Sequence, residues 1–124
     1  NGVSSPLAFL NSVQTWTDGE SAEITTLVDG ATITPNLSDS NNFTVTLGGN
    51  RTITNPTNIV AGQTGSIFIV QDGTGSRTLS WGGYWSFIGG TAPTLSTAAS
   101  AVDRVDYICR TTTDIQAVFT ANYS

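Results

Sequence analysis

Four consecutive apolar residues, Ile67-Phe68-Ile69-Val70, stand between Gly65 and the turn-forming run Asp72-Gly73-Thr74-Gly75. A run so short, and so rich in β-branched and aromatic residues, reads as a strand. Successive strand side chains point to opposite faces, so this strand needs cover on both sides and belongs at the centre of the structure. One cover is the domain's own core. The other is a second sheet or a neighbouring subunit, which makes Phe68 and Val70, with Phe87 further along, candidate oligomer-interface residues.

The remaining chain repeats the grammar of short strands and turns. Phe43-Thr44-Val45-Thr46-Leu47 alternates apolar and polar residues, as a strand with one buried face does. Gly48, Gly49 and Asn50 then offer the positive-φ residues of a hairpin turn before 51–53. Segments 23–28 and 31–34 flank Asp29-Gly30, a two-residue loop of the type I′ hairpin kind. Asp72, Gly73 and Gly75 mark a further turn, followed by a strand over 77–81. Near the end, Val105, Tyr107 and Cys109 alternate with Arg104, Asp106 and Arg110, and Ile115, Ala117, Phe119, Ala121 and Tyr123 alternate with Gln116, Val118, Thr120 and Asn122. The spacing predicts an antiparallel pair turning at 111–114. Residues 96–102 read as loop, and no internal repeat stands out. About eight short strands with regular turn signals predict an all-β domain, an antiparallel β-sandwich or jelly roll.

At 124 residues the chain is long enough for one core and too short for two. Residues 1–21 differ from the rest: Pro6, Asn11, Gln14 and Asp18 interrupt any alternation, while Leu7, Phe9, Leu10, Val13 and Trp16 are too apolar for a free tail. They read as a docking or linker segment, packing on the domain's own sheet or on an adjacent protomer. Residues 22–124 form the β-domain.

Composition removes most chemistry. There is no His, the four basic residues are all Arg, and the nine acidic residues bring the net charge to −5. The commonest general base, the commonest metal ligand and the Schiff-base amine are therefore missing. Cys109 is the only cysteine, so no intrachain disulfide forms, and its strand spacing marks it as a small core residue. An acidic chain with four scattered arginines is a poor partner for nucleic acid, and with no run of 18 apolar residues no membrane insertion is expected. The pairs Asp103 with Asp106 and Glu20 with Glu23 have a spacing that sends strand carboxylates to opposite faces, so no enzyme is expected. Asp72, or Asp39 with Asn41 and Asn42, offers oxygen ligands without a calcium-loop spacing; no metal and no cofactor are assigned. The cluster Trp81, Tyr84 and Trp85, loosened by Gly82 and Gly83, is the candidate ligand surface, because sugar rings stack on flat aromatic faces. The same residues also fit a core.

The stretches FTVTLGGNRTITNPTN from Phe43, GQTGSIFIVQDGTGSRTLSW from Gly62 and GGTAPTLSTAASAVDRVDYICR from Gly89 resemble a domain recurrent at the C-terminal ends of bacteriophage tail fibres and head fibres. The resemblance covers residues 22–124. It implies a β-structured, trimeric appendage on the virion surface, a fibre tip or a capsid decoration that acts by assembly, and it carries no catalytic residues. The implied partners are identical copies, other virion proteins of tail or capsid, and host surface polysaccharide. The alternative is a carbohydrate-binding adhesin that uses the aromatic cluster.

Overall fold

The structure, a computed structural model, describes residues 21–124. The docking segment with Leu7, Phe9, Leu10, Val13 and Trp16, and the carboxylate of Glu20, lie outside the described residues. Among the described residues nine strands follow in chain order: β1 Ile24–Thr26, β2 Thr32–Ile33, β3 Asn42–Leu47, β4 Arg51–Ile53, β5 Thr64–Gln71, β6 Leu79–Trp81, β7 Trp85–Phe87, β8 Val102–Thr111 and β9 Asp114–Thr120. A short 3-10 turn over Ile88–Gly90 follows β7.

The domain is all-β, in two sheets. One has the order β1-β3-β5-β8-β9-β7 and the other β2-β4-β6. The expectation of antiparallel hairpins is corrected through the first half of the chain. β1, β3 and β5 pair in parallel, as do β2, β4 and β6. Asp29-Gly30 and Gly48-Gly49-Asn50 are not hairpin turns; each is a corner that carries the chain from one sheet to the other. From β1 to β6 the chain therefore winds as a short parallel coil, with β1, β3 and β5 on one wall and β2, β4 and β6 on the opposite wall. The antiparallel pair predicted near the end is present: β8 pairs with β9 around Thr112 and Thr113, and β8 also lies antiparallel to β5. β7 closes the sheet in parallel with β9.

Hydrophobic burial explains why the coil closes. Phe43, Val45 and Leu47 from β3, Ile67 and Ile69 from β5, and Val105 and Cys109 from β8 meet Ile33 and Ile53 from the other wall, and all are buried. Each residue stacks on its parallel neighbour, Phe43 beside Ile67, Val45 beside Ile69 and Ile33 beside Ile53, so one core runs the length of the coil. β5 sits centrally between β3 and β8, as its two apolar faces required. Ile67 and Ile69 face the core, while Phe68 and Val70 are half-buried on the outer face.

Polar side chains stitch the loops that join these walls. Gln63 donates from Nε2 to the carbonyls of Leu37 and Ser40 and to Asn41 Oδ1. Buried Gln71 accepts from the Arg77 amide and donates to the carbonyls of Arg77 and Ser96. Asp103, fully buried, accepts the amides of Ser96 and Asn122, which ties the segment before β8 and the chain beyond β9 to the core wall. Asn122 has φ 64°, and this break ends the alternation of β9, leaving Tyr123 exposed beneath the Arg104 guanidinium, 5.0 Å from its ring centre.

Candidate functional site

The corners hold the turn residues predicted from the sequence, and they stack on one another. Asp29 Oδ2 accepts the Gly48 amide at 3.1 Å, and its carboxylate takes Arg51 Nε and Nη2 at 2.9 and 3.0 Å. Asn50 Oδ1 accepts the Thr78 amide of the next corner. In that corner Asp72 accepts the amides of Thr74 and Gly75 and pairs with Arg77 at 2.8 Å. The paired guanidinium, assisted by those two amides, draws the Asp72 carboxyl down to about 2. Gly75 alone among these turn glycines has positive φ, 75°; Gly30, Gly48, Gly49 and Gly73 do not. Positive φ is therefore not why Gly48 and Gly49 are glycine. A Cβ at Gly48 would stand 2.9 Å from Asp29 Oδ2, and one at Gly49 would stand 2.7 Å from Arg51 Nη1, so their role is to leave room for the ion pair. These corners are structural clasps: the charged groups are spent on each other.

The aromatic cluster is largely spent on the core. Trp85 is only 7% exposed, its Nε1 donates to the Thr54 carbonyl, and its ring meets Trp81 and Tyr107 edge-on at 5.0 and 6.1 Å. Trp81 packs edge-on against Phe87 at 4.9 Å and, with Tyr84 and Phe87, is partly buried at the margin of the core. Its Nε1 is buried without a hydrogen-bond partner among the described residues. Phe87 stands beside buried Ala117, so it faces inward and not toward the outer face. Flat indole faces for sugar stacking are therefore covered at Trp85 and only partly open at Trp81.

The outer face of the six-stranded sheet carries several exposed apolar side chains. Ile88 is 82% exposed, Val118 49% and Ile108 46%. With Ser86, Asp106 and Gln116 they line a groove of about 510 Å³ over β7, β9 and β8. Phe68 and Val70 add half-buried apolar groups on β5, set apart from this groove by Ser66 and the Arg104–Asp106 pair. Polar groups on this face are already paired: Asp106 accepts from Ser66 Oγ and Arg104 Nε, and Asp114 from Arg110 Nε and Ser86 Oγ. Ile88, Ile108 and Val118 were missed by the sequence reading. The available signal was apolar residues at both parities, Tyr107-Ile108 and Ala117-Val118, the same signature that marked β5.

Asp103 is buried on the inner face while Asp106 lies on the outer one, so this carboxylate pair does not converge. No group of three or more His, Cys, Asp or Glu residues is placed to hold a metal ion among the described residues. Cys109 is buried, and burial pushes its thiol pKa up, away from the reactive thiolate.

Residues 33–114, which run from the end of β2 to the start of β9, match the family described as "Putative phage tail fibre C-terminal domain". No curated protein and no solved structure matches the chain. The match covers well over half of the sequence, and the chain belongs to this phage tail fibre C-terminal domain family, a structural component of the virion surface.

Proposed function

We propose that this domain works as an oligomeric appendage, a homotrimeric fibre tip that acts by assembly and carries out no catalysis. The observation that carries this reading is the apolar outer face of the six-stranded sheet, where Ile88, Ile108 and Val118 lie open and Phe68 and Val70 are half-covered. Exposed apolar side chains gathered over one groove, Ile88, Ile108 and Val118, mark a contact surface, and identical copies around an axis supply identical patches to cover it. Family membership supports a fibre tip over the capsid-decoration alternative. Virion neighbours are the remaining partners.

Sedimentation of the domain across a concentration series tests this. A trimer that dissociates on Ile108→Asp or Val118→Asp is the expected result; a parent domain that stays monomeric at all concentrations overturns it.

A second reading, attachment to a host polysaccharide, draws on the same groove, where the Gln116 side chain lies beside Ile88, Ile108 and Val118. Glycan-array binding that weakens on Gln116→Ala supports it. Release of new reducing ends from capsular polysaccharide would instead require an enzyme.

A further inference from the structure

The two ends of the parallel coil are finished differently. At the far end β5 is covered by the β8–β9 pair, and the stretch holding Pro93 and buried Leu95 lies against Leu79 of β6. At the near end, among the described residues, β1 has a neighbour only on its β3 side and β2 only on its β4 side. The Leu27 amide donates to Thr44, and the Thr52 and Thr54 amides donate to Ala31 and Ile33, so residues of that parity bond inward along the sheets. By strand alternation the amides and carbonyls of Thr26, Thr32 and Thr34 point the other way, off the open edge. A groove of about 390 Å³ runs along this edge, lined by Thr25, Leu27, Val28, Thr32 and Thr34 among others. Neither strand carries a Pro or a charged residue, the usual guards of an edge left bare.

The register says what fits there. From one coil to the next, the partner of Ile24 is Asn42 and that of Phe43 is Ile67, steps of 18 and 24 residues. On the other wall, Ile33 to Ile53 is a step of 20. Residues 1–20 thus amount to one coil in length. Carrying the first-coil steps backward sets Leu7 and Phe9 beside Thr25 and Leu27, and Val13 beside Ile33. All three are apolar and fall at inward positions. Of the intervening residues, Ala8, Ser12 and Gln14 are small or polar and fall at outward ones, while Leu10 falls beside exposed Val28 at the corner.

We propose that residues 1–20 dock on the open β1–β2 edge of their own chain as one further coil, with Leu7, Phe9 and Val13 extending the core. The added coil would bond the outward amides of Thr26, Thr32 and Thr34 and extend the core that Leu27 and Ile33 already join. Neither the edge nor the register depends on the outer face of the six-stranded sheet, so this docking stands or falls separately from the assembly reading.

Hydrogen exchange on the full chain tests it. Slow exchange at Thr26, Thr32 and Thr34, accelerated by about tenfold or more in Phe9→Asp or Val13→Asp and unchanged in the outward control Gln14→Glu, is the expected outcome. Fast exchange at these amides in the parent chain, or protection that the inward substitutions leave intact, overturns it. Register and identity are read by a cysteine pair, Ala8→Cys with Thr26→Cys. A crosslink within one chain is expected, whereas a crosslink only between chains assigns the edge to a second copy and overturns docking on the same chain.

Discussion

Arg51 grips Asp29 across the corner between the first and second turns of the coil, with Nε and Nη2 each meeting one carboxylate oxygen at 2.9 and 3.0 Å. Gly49 exists in that corner to clear the guanidinium. Gly49→Ala is therefore expected to lower the urea midpoint in the parent chain and to be nearly harmless in an Arg51→Ala background. A double-mutant cycle measures this coupling; additive effects would mean the glycine serves something other than the clasp.

Asp72 gives the second corner a pH dependence. Its pKa falls from the ordinary 3.8 to about 2 because the folded corner holds the carboxylate against Arg77. A depressed carboxylate stabilises the fold fully above its unfolded pKa, and that contribution disappears as the pH falls from about 4 to about 2. Asp72→Asn is expected to melt lower than the parent at pH 7 and to converge with it near pH 2 in thermal scans.

Tyr107 sets the alkaline limit. Burial pushes its phenol up to about 12 from 10.0, while its hydroxyl donates to the Asn41 carbonyl at 2.7 Å. A raised pKa means stability that is complete below pH 10 and lost as the pH climbs toward 12. Tyr107→Phe should flatten this alkaline limb and cost about 1 kcal/mol at neutral pH, the usual net worth of a neutral hydrogen bond.

Gly65 admits no side chain, since a Cβ there would collide with the Asn41 carbonyl. Gly65→Ala must separate β5 from the loop before β3, at a cost of about 3 kcal/mol or more. Gly73, with nothing within 4 Å, is the control; Gly73→Ala should stay within about 0.5 kcal/mol in the same denaturation experiment.

Inner and outer faces of the long sheet should respond differently. Ile67 is fully buried, and Ile67→Ala is expected to cost about 2–5 kcal/mol of folding stability. Val118→Ser should change the unfolding of a dilute chain by about 0.5 kcal/mol or less, while lowering its association by sedimentation. Equal losses of stability at both sites would contradict the placement of Val118 on an open face.

The sequence alone determined that residues 22–124 form a β-domain, which positions of an alternating strand share a face and where the chain turns, because those follow from alternation and turn chemistry, which are local. Phe43, Val45 and Leu47, the inward half of β5, the β8–β9 pair and the core position of Cys109 were all legible on that basis. Only the tertiary structure decided which strand each one bonds. A corner such as Gly48-Gly49-Asn50 closes a hairpin if the returning strand bonds its predecessor, and a coil if it crosses to the other wall; the same residues serve both. One clue was present: Thr32-Ile33-Thr34 after Asp29-Gly30 recurs as Thr52-Ile53-Thr54 after Gly48-Gly49-Asn50, and these segments lie side by side in parallel. Uneven coil lengths hid that repeat, and the third coil replaces it with Ser80-Trp81-Gly82. The aromatic cluster shows the same division. Composition marked Trp81, Tyr84 and Trp85 as either platform or core, and only the packing of two walls against each other closed the faces of Trp85, because burial is a property of the assembled surfaces and not of any one segment.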